Sequence, residues 1–376
     1  TGTIHNIYTP RGAPVRNALN WSKQINVALY KFGQEAEVMF ASHSWPRWGN
    51  ARIQEVLRAQ RDAYANLNNQ ALHYANQGVT INEIQNVYQV PPSLQQQWAA
   101  RSYHGDAQNN SRAVLNRFLG FYDGNPVNLL PLSPKDSAPL YVEMMGGSEK
   151  ILAKGRELMD QGKYLLATEI LNRLVFAEPQ NKPARQLLAD AYEQLGYQAE
   201  STSVRNSYLQ GAFELRNGLP GGLPPRPTGP DVVRAMSTDM WLDFLGISVD
   251  PRKADGMNFT INLVTPDNGE KYAIEMSNGT LTNIEGEQAK KPDLTITVNR
   301  AELNQVMMGV ASFDDLIASG TAKSEGDRKP FDQLRSILVP FTPDFEVLPG
   351  TAPKTPSKGP KPFEMPDLTP AELAGD

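Results

Sequence analysis

Two short segments carry most of the side chains with which this 376-residue chain can do chemistry. Residues 5–16 read H-N-I-Y-T-P-R-G-A-P-V-R, and residues 41–50 read A-S-H-S-W-P-R-W-G-N. In the first, Arg11 and Arg16 present planar guanidinium forks, which give two parallel hydrogen bonds to sulfate, phosphate or carboxylate. Asn6, Tyr8 and Thr9 add neutral hydrogen-bonding groups close by. In the second, His43 follows an apolar run at 38–41 and precedes Trp45-Pro46, a place where an imidazole at a strand end can ligate a metal. The pairing suggests an anion site beside a metal site. Two solvated arginines and one hydrogen-bonded structural histidine would leave the same trace, and spacing alone does not separate the readings.

The rest of the inventory narrows the chemistry. There are four histidines, His5, His43, His73 and His104, and no cysteine, which removes disulfides, thiolate zinc sites and cysteine nucleophiles together. No H-x-H or H-E-x-x-H spacing occurs, so no complete zinc site assembles from motifs. His73 reads as a helix surface residue, and His104, between Tyr103 and Gly105, as a loop histidine able to line a pocket. A nucleophile elbow, a P-loop and a dinucleotide fingerprint are all missing, and Asp314-Asp315 reads as a helix cap. A net charge of −5 with no basic run argues against a nucleic-acid partner. No apolar run approaches the roughly 18 residues that span a bilayer. The chain starts at Thr1 without a signal peptide, which leaves a removed leader and an upstream domain equally open.

These groups need elements to hold them. Ala18, Trp21, Ile25, Leu29 and Phe32 recur at three and four, which predicts a helix over 14–33 with Pro14 in its first turn and Gly33 at C′. Arg16 would then sit in that turn and Arg11 in the loop feeding it, both near unpaired helix amides that favour an anion. Residues 38–41 read as a short buried strand, helical spacing resumes at Ile53, and Thr80 to Glu83 form a capping box. Four helical segments follow at 149–161, 164–177, 182–195 and 199–216, resembling one tetratricopeptide-like unit. A lone unit buries its faces poorly, so a neighbouring domain or a second subunit should cover it. Residues 218–230 form a Pro- and Gly-rich linker. Beyond it the period changes to two, with strands around Phe259–Leu263, 272–276, 280–284 and 294–298 and a hairpin turn at Ser277-Asn278-Gly279. Helices at 300–308, 313–319 and 331–338 complete an α+β layout, and the stretch from 348 reads as extended or disordered.

The two opening segments, together with A-Q-R-D-A-Y and F-Y-D-G-N-P, resemble the back half of the catalytic domain of alkylsulfatases with the metallo-β-lactamase fold. The stretch from M-M-G-G-S-E-K to Y-L-Q-G-A-F-E-L-R-N-G resembles that family's helical dimerisation domain, and P-D-L-T-I-T-V its sterol-carrier-protein-like domain. The resemblance implies an α/β plus α plus α+β chain. A partial metallo-β-lactamase αββα domain would cover 1–145, the dimerisation domain 146–217, the linker 218–230, the sterol-carrier-like domain 231–347 and a Pro-rich tail 348–376.

It further implies hydrolysis of alkyl sulfates with two zinc ions per complete site. His43 matches a zinc ligand, and His5 a histidine that assists the leaving group. Asn6, Ile7, Tyr8, Thr9, Pro10 and Arg11, with Arg16, match the sulfate-binding segment. Tyr103 and Tyr122 are further sulfate or alkyl contacts, and Phe259, Ile261 and Leu263 would offer a greasy surface to the tail. The family's H-x-H-x-D-H motif and bridging glutamates belong upstream of His5, so the chain needs an upstream partner segment and alone should be inactive. Asn109 and Leu115 stand where a histidine and an aromatic residue are expected. Homodimerisation and a periplasmic or secreted location are family expectations. The rival readings are a non-enzymatic lipid-binding or assembly protein, and a hydrolase of the same fold acting on another anionic ester.

Overall fold

The computed structural model describes residues 2–219, 230–341 and 345–352. Most of the expected linker and nearly all of the Pro-rich tail lie outside them. The chain divides into two compact units, Thr1–Pro220 with Glu346–Ala352, and Gly221–Phe345 with Pro353–Asp376. Both α-helices and β-strands are present, so the mixed α/β character read from the periods is what the chain adopts.

The first unit is helical. Helix α1 (Ala18–Phe32) packs along α2 (Asn50–Ala75), and between them run two short strands, β1 (Val38–Met39) and β2 (Arg47–Trp48), paired antiparallel. Single turns α3 (Ile84–Val87) and α4 (Pro92–Gln95) lead to α5 (Ala107–Leu119), which lies against α2. Ile7, Ala18, Leu67, Ala71, Ile84, Val114 and Leu115 form the core beneath these elements. The larger of these, Ile7, Leu67, Ile84, Val114 and Leu115, each contribute about 1.5–3 kcal/mol by leaving water. Then come α6 (Pro134–Met144), α7 (Ser148–Asp160), α8 (Tyr164–Ala177), α9 (Lys182–Gln198) and α10 (Thr202–Asn217): α6 and α7 both pack on α8, α8 packs on α9, and α9 on α10. Their core is Ile151, Leu171, Leu174, Leu188 and Leu215. Close approach is possible where Gly155 meets Leu171 and Gly196 meets Leu209.

Three local expectations need correction. Helix α1 begins at Ala18, not near Pro14, because Asn17 is extended (φ −102°, ψ 107°) and its side chain accepts the Asn20 amide. Arg16 is held outside the helix by the hydrogen bond from its own amide to the Ile7 carbonyl, 3.0 Å. Neither arginine therefore sits in a helical first turn. Gly33 closes the helix in right-handed conformation (φ −62°), not in the left-handed C′ geometry. The 38–41 run is no buried strand: Val38 is half-exposed and Phe40 is 81% exposed, since no described segment covers that face.

The second unit holds a five-stranded sheet. Helices α11 (Pro230–Ala235), α12 (Thr238–Ser248) and α13 (Pro251–Ala254) precede β3 (Phe259–Thr265), β4 (Glu270–Ser277), β5 (Thr280–Glu285) and β6 (Leu294–Val298). After them come α14 (Arg300–Met308), α15 (Phe313–Ala318), β7 (Ala322–Gly326) and α16 (Lys329–Ile337). The strand order is β5-β4-β3-β6-β7, antiparallel except for the parallel pair β3–β6. Asn278 (φ 50°) and Gly279 (φ 71°) make the β4–β5 turn left-handed at both positions, as a tight hairpin requires. Inward residues Phe259, Ile261 and Leu263 join Leu303, Leu316 and Leu334 from the helices in one core. Inside it lies a cavity of about 360 Å³ walled by Trp241, Ile261, Leu263, Ile296, Phe313 and Phe331, among others.

Candidate functional site

The segment around His5 is pinned at every residue from Ile4 to Tyr8. The Gly105 amide donates to the Ile4 carbonyl (2.8 Å), and the His5 amide donates to the Tyr64 hydroxyl (2.8 Å). Asn110, fully buried on α5, clamps two places at once: its Nδ2 donates to the His5 carbonyl (2.8 Å) and its Oδ1 accepts the Ile7 amide (2.7 Å). Asn6 accepts from the Asp106 amide (2.9 Å) and donates to the Ser203 hydroxyl (2.8 Å), and Asn109 donates to the Tyr8 carbonyl (3.1 Å). Gly105 packs so tightly that an added Cβ would lie 2.4 Å from the His5 carbonyl carbon.

This clamping brings three imidazoles together. The His5 ring centroid lies 5.0 Å from that of His43 and 4.3 Å from that of His104, and His43 and His104 stack at 3.9 Å with planes 19° apart. One nitrogen of each ring lies within 4.8 Å of the others. Trp21 packs edge-to-face with both His5 and Tyr64, and the Arg16 guanidinium sits 5.7 Å from the Trp21 ring while donating to the Asn6 carbonyl. The His5 Nε2 is buried and finds no hydrogen-bond partner among the described residues; the same holds for Thr9 Oγ1. Burial first, then the neighbouring rings of His104 and His43, lower the His5 pKa to about 3. Burial and then His43 lower that of His104 as well. Imidazoles held neutral are in the state that ligates a metal. The donor set fits zinc and related borderline ions, for which nitrogen ligands are suited.

The other expected site residues are scattered around this centre. Arg16 reaches it through Trp21 and Asn6, whereas Arg11 lies on an exposed turn closed by the Gly12 amide on the Thr9 carbonyl, with Pro10 exposed beside it. The Ile7 side chain is core, and its amide and carbonyl are already taken by Asn110 and Arg16. Tyr8 packs against the same core. Tyr103 is partly exposed with its ring 5.3 Å from that of Trp98, and Tyr122 is partly exposed after α5. His73 is exposed and bonded to Gln77. Sequence reasoning reads His104 as a loop histidine able to line a pocket and does not join it to His5 and His43; the adjacent glycine is the one local sign of a close backbone approach. It also passed over a cleft of about 390 Å³ beyond His43, lined by Trp45, Trp48 and Trp98 with Arg47 and Arg52.

Comparison with known proteins adds the following. Residues 80–218 match the family described as alkyl sulfatase dimerisation, and residues 226–350 the family described as alkyl sulfatase C-terminal. A linear primary-alkylsulfatase from Pseudomonas sp is 42% identical over 348 residues, which is 93% of this chain and 52% of that protein. An (R)-specific secondary-alkylsulfatase from Pseudomonas sp is 41% identical over 346 residues, 92% of this chain and 52% of its own length. The solved structure of a stereoselective inverting sec-alkylsulfatase from Pseudomonas sp. superimposes with a TM-score of 0.86 at 40% identity, over 93% of this chain and 55% of that one. The chain thus spans about half the length of the curated relatives it matches.

Proposed function

Through its dimerisation and C-terminal regions this chain belongs to the alkylsulfatase family, and we propose that the whole protein hydrolyses alkyl sulfate esters, such as dodecyl sulfate, to an alcohol and inorganic sulfate. The observation that carries the reading is the imidazole cluster with Arg16 beside it, an electrophile-binding donor set next to a cation suited to sulfate. His43 would hold one of two zinc ions, the remaining ligands coming from outside this chain. Bound zinc supplies Lewis-acid polarisation of an oxygen.

The chain's own residues do the rest. Arg16, with Arg11 swung in from its exposed turn, binds the sulfate oxygens, and Thr9 and the Asn6–Tyr8 backbone shape the wall around them. The unpartnered His5 Nε2 offers a hydrogen bond to the departing alkoxide oxygen. Tyr103 and Tyr122 border the alkyl side, and the cleft lined by Trp45, Trp48 and Trp98 offers apolar surface to the first carbons. Taken by itself, the second unit has an apolar cavity whose lining suits an alkyl chain.

The finer architecture belongs to the same reading. Residues 1–145 are the C-terminal part of a metallo-β-lactamase αββα domain, 146–217 a tetratricopeptide-like dimerisation domain, 218–230 a linker and 231–347 a sterol-carrier-like domain. Within that dimerisation domain, exposed Leu165, Leu166 and Tyr197 offer apolar surface to a second copy. The protein works in the periplasm or medium, and this chain without the remaining zinc ligands is inactive. Calorimetry with hexyl sulfate tests the anion site: Arg16→Ala should weaken binding by at least about tenfold, the worth of one charge-assisted hydrogen bond. Unchanged affinity in both Arg16→Ala and Arg11→Ala would overturn the sulfate assignment.

A further inference from the structure

We propose that helices α9 and α10 form a binding site for a short linear peptide of the pattern E-x-L-x-G-T, which the chain fills with its own residues 346–352. The inference stands apart from the hydrolase reading. It makes that segment a ligand held in cis, replaceable by the same peptide supplied in trans.

The walls of the site are set by the helices themselves. Arg185 Nε and Nη2 both donate to the Leu215 carbonyl, at 3.1 and 2.8 Å, which fixes the plane of the guanidinium. That leaves Nη1 for the Gly350 carbonyl, at 2.7 Å. Glu214 is buried on α10, and its Oε1 accepts from the Val347 amide (3.3 Å), the Leu348 amide (3.2 Å) and the Thr351 hydroxyl (2.6 Å). A buried carboxylate is costly unless donors surround it. Here all three come from a segment that rejoins α10 with Leu348 134 positions further along the chain.

Four positions of the segment are each read in a different way. The Leu348 side chain enters the core of Leu188, Ala212 and Leu215, its Cδ1 facing Gly211. Gly350 has φ +79°, and a Cβ there would stand 2.7 Å from the Pro179 carbonyl oxygen, so glycine alone fits. Thr351 is buried, gives its hydroxyl to Glu214, and accepts the Leu219 amide on its carbonyl at 3.1 Å. Glu346 acts within the peptide: its Oε2 accepts the Thr351 and Ala352 amides, both at 3.0 Å, and closes the segment into a turn. Val347 is exposed and goes unread. A ligand that holds its own bound shape loses less entropy on docking.

The test is fluorescence anisotropy of a labelled, end-blocked peptide of residues 346–352, titrated with two forms of the full chain. One is unaltered, and the other has its cis segment disabled by Leu348→Asp with Thr351→Ala. Circular dichroism and the thermal midpoint check the disabled chain, and a Gly350→Ala chain replaces it if it does not fold. The disabled chain should bind one peptide at least about tenfold more tightly than the unaltered chain, where the tethered copy holds the site at high effective concentration. Peptides carrying Thr351→Ala or Gly350→Ala should bind the disabled chain at least about tenfold more weakly, the scale of one hydrogen bond to a charged group. Adding Arg185→Met to the disabled chain should cost a similar factor. No binding to a folded disabled chain overturns the proposal, as does equal binding to both chains. Affinity indifferent to the peptide changes or to Arg185→Met overturns it too. So does loss of the folded state in both disabled forms, since the segment is then core and not ligand.

Discussion

Single side chains decide whether this site exists. Asn110 spends both ends of its amide on the His5 carbonyl and the Ile7 amide, so no other residue type of its size satisfies both. Asn110→Leu leaves two buried backbone groups unpaired and should lower stability by about 2–4 kcal/mol, measurable by urea unfolding. Asn110→Asp keeps the acceptor for Ile7, loses the donor to His5, and should fall between the two. The His5 imidazole gives a pH signature. Its pKa falls from 6.5 in the unfolded chain to about 3 in the folded one. The unfolded chain therefore binds the extra proton between those values. Stability of the metal-free protein should be complete above about pH 6.5 and decline as pH drops toward 3. Replacing His5 by Phe should flatten that decline, and an unchanged pH slope would contradict the assigned burial effect.

At the level of elements, legibility in the sequence followed how local the cause was. The four helices from 149 to 216 and the four strands from 259 to 298 were readable because their apolar periods, 3.6 and 2, act within a few residues. Strand β7 was not, since A-K-S-E-G is a polar edge strand with only Ala322 buried, and its pairing with β6 is a long-range fact. Helix α1 was placed too early because Pro14 is a plausible first-turn residue, while Asn17 holds the actual cap through its side chain. His43 and the Arg16 segment were visible as types and spacing. His104 was not, because only the fold carries position 104 next to position 5.

The loop that delivers it is testable. Gly105→Ala would drive a Cβ into the His5 and Asn6 backbone, at 2.4 and 2.6 Å. Since backbone cannot step aside as a side chain does, a loss of about 1–3 kcal/mol is expected. Metal affinity should fall with it, whereas Gly256→Ala, with open space around it, should leave metal affinity intact.

For the whole molecule, the return of the chain from the second unit is anchored by one buried acid. Glu214 Oε1 accepts from the Val347 and Leu348 amides and from the Thr351 hydroxyl, and Arg185 donates to the Gly350 carbonyl. Glu214→Ala strips three donors of their partner and should expose 346–352 to limited proteolysis well before global unfolding. The exposed apolar residues of the 146–217 domain, Leu165, Leu166 and Tyr197 among them, should make the chain a dimer at micromolar concentration, read by sedimentation equilibrium. Both tests concern assembly, and the chemistry stands on its own. It is tested most directly by following inorganic sulfate release from dodecyl sulfate, with zinc present, by the whole protein and by its His43→Ala variant. Steady release that falls by three orders of magnitude or so in the variant is the predicted result, in line with loss of a catalytic metal's several kcal/mol. Equal release from both proteins, or none from the unaltered one, would contradict it.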